Sequence, residues 1–191
     1  IMAKTPALKN VVSMALKGNK LGDEGVRIIT QSSTFKNLEF LSLWDNGVSP
    51  EGIKMLARGA NFNKLKELNL MKNSLGDEGV VLLVDSSNLS NLTLLDLSVN
   101  KISDKGAIAI ATSPYLSNLK TLDLFNNQIT LKGLKAILQS KTLISLKKID
   151  FVKNNIDDES AAKLWESHMN SCRTLKKGDH PQEEKLPLCA N

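Results

Sequence analysis

The sequence predicts an α/β solenoid of about six stacked repeats, with a parallel sheet on one side and helices on the other. Three observations carry that expectation. Asparagine recurs at Asn19, Asn46, Asn73, Asn100, Asn127 and Asn154, an unbroken spacing of 27 residues. Apolar columns keep the same step: Val11, Leu38, Leu65, Leu92, Leu119 and Leu146; Met14, Leu41, Leu68, Leu95, Leu122 and Ile149; Leu16, Leu43, Leu70, Leu97, Leu124 and Phe151. Within each unit the apolar period then changes from two residues to a helical one.

The first half of a unit reads as a strand. Alternate side chains of a strand face opposite ways, so Leu68 and Leu70 point to the core while Glu67, Asn69 and Met71 point out. After Leu75, the apolar positions Gly79, Val80, Leu82, Leu83 and Val84 cluster on the face of a helix lying back over the strand. Helix starts carry their own signals. Ser49 before Pro50 is a cap followed by a first-turn proline, and Glu24, Glu51 and Glu78 favour the positive end of the helix dipole. One such unit cannot bury its apolar face, but six in a stack can.

Each unit begins L-x-x-L-x-L-x-x-N-x-L, as in Leu65, Leu68, Leu70, Asn73 and Leu75. This resembles the leucine-rich repeat. The second half, with Gly22-Asp23-Glu24-Gly25, Ser49-Pro50-Glu51-Gly52, Gly76-Asp77-Glu78-Gly79 and Ser103-Asp104-Lys105-Gly106 each opening a helical run, is similar to the ribonuclease-inhibitor subclass. The run Gly106-Ala107-Ile108-Ala109-Ile110-Ala111 resembles the motif of the GALA class of bacterial effectors. The resemblance implies a right-handed α/β horseshoe, strands on the concave side and helices on the convex, with a partner protein held in the concavity.

Two recurrent columns read as structural. The asparagines are expected to satisfy backbone groups where the chain leaves each strand, since buried polar groups need partners. Gly25, Gly52, Gly79, Gly106 and Gly133 read as close helix packing rather than a phosphate loop. At Ser160 that glycine is lost and the asparagine is doubled at Asn154-Asn155, so the last unit decays into a cap. The expected organisation is the end of a truncated repeat over residues 1–10, a repeat domain over 11–165, and a cap and tail over 166–191. Ala3 to Asn10 aligns at four periods with Ala111 to Asn118, so the chain is expected to open midway through a repeat, with an earlier segment able to carry a further domain.

Composition narrows the function classes. No run of 18 apolar residues is present, so no membrane span is expected. The start, Ile1-Met2-Ala3-Lys4, lacks the apolar stretch of a signal peptide, and two cysteines outside the repeats do not suggest a disulfide framework. The sequons at Asn88 and Asn91 are then accidental, and a cytoplasmic protein is expected, in the host cytoplasm if it is a translocated effector. Net charge is +5, but the lysines are dispersed among acidic residues, which speaks against nucleic acid. His168, Cys172, His180 and Cys189 lie in the last 24 residues; they lack the close cysteine pair of structural zinc, and neither metal nor cofactor is expected. The polar tail reads as a loosely ordered solvated segment, although Gln182-Glu183-Glu184-Lys185 before Leu186 and Leu188 resembles the export signal of type IV effectors.

Function in a solenoid falls to side chains the core does not use. Phe40, Trp44, Met71, Leu94, Val99, Phe125 and Val152 are apolar yet set outward by the strand register. The chain is only 4% aromatic, and one of its two tryptophans and two of its five phenylalanines fall on this wall, which favours a binding face over scattered exposure. Asp96, Asp123 and Asp150 stack at about 4.8 Å from strand to strand, so the carboxyl of at least one is expected to be raised. A counter-charge would come from Lys148 or from a basic feature of a partner. The partner-binding set is therefore Phe40, Trp44, Glu67, Met71, Leu94, Asp96, Asp123, Phe125 and Asp150. No nucleophile, histidine or enclosing pocket accompanies these carboxylates, so catalysis is not expected.

The expected function is a protein-binding module, an inhibitor or adaptor, monomeric by itself and seated on a folded enzyme or effector. Two other classes remain open. The chain also resembles the leucine-rich-repeat activators of Ran-type GTPases, which act through loops at the solenoid edge, some with an acidic tail absent here. Part of an F-box-type ubiquitin-ligase adaptor would depend on sequence before Ile1.

Overall fold

The structure, a computed structural model, describes residues 8–59 and 62–175. Its elements alternate in the expected order: β1 (Ser13–Ala15), α1 (Gly22–Gln31), β2 (Phe40–Ser42), α2 (Pro50–Arg58), β3 (Glu67–Asn69), α3 (Gly76–Val84), β4 (Leu94–Asp96), α4 (Asp104–Thr112), β5 (Thr121–Asp123), α5 (Leu131–Leu138), β6 (Lys148–Asp150) and α6 (Asp158–Leu175). The strands form one parallel sheet in chain order, and every neighbour pairs at the 27-residue step, Leu68 with Leu95 and Leu95 with Leu122. The ladder continues past the three-residue strands, with Leu16 N–H to Ser42 O at 2.9 Å and Gly18 N–H to Trp44 O at 2.8 Å.

A single apolar core lies between sheet and helices. Leu68, Leu70, Leu95, Leu97, Leu122 and Leu124 are fully buried against Ile53, Leu56, Val80, Leu83, Ile110 and Ile137 of the helices. The units at the two edges of the described sheet are less well covered, because β1 and β6 each pair with one strand among the described residues. Val11, Met14, Leu16 and Ile149 are only partly buried in columns whose inner members are completely so.

The asparagine column does what the sequence implies. Asn100 is 0% exposed; its Nδ2 donates to Leu70 O, Leu97 O and Ser98 O at 2.9, 3.1 and 3.0 Å, and its Oδ1 accepts from Asn73 N–H at 3.2 Å. The glycines are packing sites: a Cβ on Gly106 would lie 2.6 Å from Ile102 Cγ2 and 2.7 Å from Asp77 Oδ1.

The helix starts hold a coupling between repeats that the sequence reading missed. Asp77 Oδ1 accepts Ser103 N–H at 2.8 Å and Gly106 N–H at 2.9 Å, and its Oδ2 takes the Ser103 hydroxyl, which itself caps α4 through Lys105 N–H. Asp104 grips Thr130 and Gly133 of the next unit in the same way, and Asp23 grips Ser49. Where Pro50 replaces the aspartate, the next unit has Gly76 at φ +54° instead of a hydroxyl, and its N–H donates to Asn100 O at 3.0 Å. Burial works against the charge of Asp104, but the Thr130 and Gly133 hydrogen bonds and nearby Lys132 hold its carboxyl below the ordinary range.

Candidate functional site

The sheet face turned away from the helices places the nine sequence-predicted residues in three adjacent columns. Phe40, Glu67 and Leu94 stand in the first, at the register Phe40 to Glu67 to Leu94. Asp96, Asp123 and Asp150 follow in the second, paired strand to strand. Trp44, Met71 and Phe125 form the third with Ser98 and Val152, carried by the continuing ladder in which Asp45 N–H reaches Met71 O and Val99 N–H reaches Phe125 O. Fold alone brings these positions together.

Their exposure is uneven. Phe40, Trp44, Met71, Leu94, Val99 and Phe125 are half-buried, shielded by the repeats on either side, whereas Val152 at the far end is 60% exposed. Two of the aromatic rings are covered by ammonium groups: Lys17 Nζ sits 3.3 Å from the Trp44 ring centroid and Lys153 Nζ 5.2 Å from that of Phe125. A cation over an aromatic face is held by the ring's quadrupole. Each of these two rings therefore carries one positive charge on its face.

The carboxylate column is more internally engaged than its sequence suggests. Each aspartate accepts the amide two residues on: Ser98 N–H at 3.0 Å to Asp96, Phe125 N–H at 2.9 Å to Asp123 and Val152 N–H at 2.9 Å to Asp150. Asn69 Nδ2 donates to Asp96 Oδ2 at 2.8 Å. The Ser98 hydroxyl lies 2.7 Å from Asp96 Oδ1 and 2.6 Å from Asp123 Oδ1. A hydroxyl has one proton, so with both carboxyls ionised one of those two contacts would lack a hydrogen. Burial, the foremost cause, raises the Asp96 carboxyl above its ordinary range, and the Asp123 charge adds to this against the hydrogen bonds from Ser98 and Asn69. No lysine makes an ion pair with this column among the described residues.

Other features yield less. A groove of about 480 Å³ at the strand-entry edge is lined by Glu39, Lys64, Lys66, Asn91, Thr93 and Lys120, but Lys64 is already bound to Asn37 and Lys66 to Glu39. Among the described residues no group of His, Cys, Asp and Glu is arranged to hold a metal, and no helix is long and apolar enough to cross a membrane. The truncated-repeat alignment falls mostly in residues 1–7, and the zinc and export-signal readings rest on His180, Cys189 and residues 182–188. These positions, and the side chains of His168 and Cys172, lie outside the described residues.

The leucine-rich repeat family profile matches residues 36–57, 63–84, 88–111, 115–138 and 142–164, more than half of the chain. The chain belongs to the leucine-rich repeat family, whose members generally bind other proteins. No curated protein sequence matches it. Among solved structures it is similar to the tropomodulin C-terminal domain of Caenorhabditis elegans, at 14% identity over 88% of this chain and 90% of that one, TM-score 0.49. An internalin of Listeria monocytogenes is 22% identical over 85% of this chain but 47% of its own length, TM-score 0.48.

Proposed function

We propose that this chain is a protein-binding module that seats a folded partner on the outward face of its sheet. The observation that carries the reading is the third column: Trp44, Met71, Phe125 and Val152 are apolar side chains that the core does not use, aligned at the repeat step on either side of Ser98. Aromatic anchors of this kind supply most of the free energy at protein interfaces. Phe40, Glu67, Leu94, Asp96, Asp123 and Asp150 border that row on the same face. Strand followed by a helix of 8 to 10 residues through the first five units favours the ribonuclease-inhibitor-like form. Such a horseshoe acts as an inhibitor or adaptor by covering a partner's working surface, without chemistry of its own.

The test is affinity capture with the chain, identification of the bound protein by mass spectrometry, and titration of that protein against Trp44→Ala and Phe125→Ala. Both variants should bind at least about tenfold more weakly while melting as a folded protein, since each alters a central interface group. Unchanged affinity in both would remove the sheet face from consideration.

A further inference from the structure

Lysines dispersed along the sequence are gathered by the fold onto one side. Residues 9–20, 36–47, 63–74, 90–101, 117–128 and 144–155 are the strands with their entry and exit turns, and they hold 12 lysines and 6 acidic residues. All other residues together hold 13 basic and 14 acidic ones, so the strand-bearing segments carry a net charge of +6 and the rest of the chain −1. These lysines border the sheet on both edges. Lys36, Lys64, Lys66, Lys120 and Lys147 stand where strands are entered, and Lys17, Lys20, Lys72, Lys101 and Lys153 where they are left.

Two of the six acidic residues of this side pair with lysine and two more share a hydroxyl, while Glu67 and Asp150 have no lysine partner among the described residues. Asp45 pairs with Lys72 at 2.9 Å and Glu39 with Lys66 at 2.9 Å, while Asp96 and Asp123 share the Ser98 hydroxyl. Lys17, Lys20, Lys101 and Lys153 have no carboxylate partner among the described residues. Four of the exit-edge lysines, Lys20, Lys72, Lys101 and Lys153, have backbone φ between 52° and 60°, so the repeat fixes the spacing at which their side chains leave the chain.

From this charge distribution we infer that the partner seated on the sheet face is a protein with an acidic surface, its carboxylates meeting the lysine borders. The inference rests on the sheet-face reading above and reverses the sequence expectation that the partner's contribution is basic. The physical reason is that Asp96 and Asp123 are held in internal hydrogen bonds, whereas the side chains of Lys20, Lys36, Lys101, Lys120 and Lys147 have no hydrogen-bond or ion-pair partner among the described residues. A nucleic acid fits the same face less well. All arginines (Arg27, Arg58 and Arg173) lie outside the strand-bearing segments, and Lys17 and Lys153 cover the rings on which bases would stack. Complementary charge of this kind steers association and selects partners more than it adds affinity.

The experiment displays one small folded scaffold with randomised loops in two pools, enriched in Asp and Glu or in Lys and Arg, and selects each on the full chain. The acidic pool should be enriched. Its binders should lose about tenfold or more in affinity on Lys101→Glu/Lys147→Glu/Lys153→Glu, and little on the helix-side control Lys105→Glu/Lys132→Glu/Lys135→Glu, since reversed border charges repel an acidic surface. Circular dichroism of both triple variants checks folding. Enrichment of the basic pool, equal losses from the two triple variants, or displacement of acidic binders by a 30-nucleotide single-stranded DNA would overturn the inference. Binders of either pool that ignore Trp44→Ala and Phe125→Ala would instead sink the sheet-face reading itself.

Discussion

Replacing Asn100 separates the two things its amide does. Alanine removes four hydrogen bonds, but three of the abandoned groups keep another donor: Leu70 O retains Asn73 Nδ2, Leu97 O retains Asn127 Nδ2 and Ser98 O retains Lys72 N–H. Only the buried Asn73 N–H, which donates to Asn100 Oδ1 at 3.2 Å, is left without an acceptor. One orphaned buried amide plus the weakened carbonyl contacts amounts to about 2–4 kcal/mol for Asn100→Ala. Aspartate has nearly the same shape and keeps the acceptor, yet it turns a carboxylate oxygen toward three carbonyl oxygens. That should cost at least about 3 kcal/mol beyond alanine at neutral pH, as an unpaired buried charge does. The added cost should shrink on acidification, because the neutral acid regains a donor. Urea unfolding followed by circular dichroism at pH 7 and pH 5 measures all three chains. The exposed Asn19, whose Nδ2 reaches only Leu16 O and Lys17 O, is the control site. If aspartate proves as mild as alanine at position 100, or as costly at position 19 as at 100, the account of the asparagine column is wrong.

Two further outcomes follow from particular residues. Val99 is β-branched yet sits at φ +57°, a region in which its column neighbour Asn126 (φ +52°) is at ease. Val99→Asn should relieve about 1 kcal/mol and raise the melting temperature by about 2–4 °C in calorimetry; a lower melting temperature would mean that its apolar contacts outweigh the backbone cost. Asp96 binds its proton more tightly in the folded chain than in the unfolded one, chiefly because it is buried. Its contribution is therefore present at low pH and lost as pH rises through the folded value. Asp96→Asn removes that loss, so the variant's stability relative to the parent should grow from pH 3 to pH 7; a pH-independent difference would contradict the assigned direction.

Much of the fold was legible because a repeat writes its tertiary neighbours into the chain. Leu68, Leu95 and Leu122 touch at the period at which they recur, so a column in the sequence is a column in the core. The cap at Ser49, the outward register of Met71 and the buried role of Asn73 follow from local rules of helix starts, strand alternation and polar satisfaction. Contacts off that period were not legible. Asp77 reaches Ser103 at a separation of 26 and Gly106 at 29, and nothing in either local segment announces the pairing until adjacent helices are stacked.

The candidate site divides along the same line. Strand alternation is a property of the backbone, and it alone was enough to set Trp44, Asp96, Asp123 and Phe125 on the outward face. Charge is a property of the assembled surface. Lys17 closes over Trp44 across one repeat, Ser98 bridges two carboxyls of different strands, and lysines far apart in the chain converge on the borders of one sheet. Electrostatic character depends on distances through space, so only the stacked structure could decide which charges are answered within the molecule and which are left for a partner.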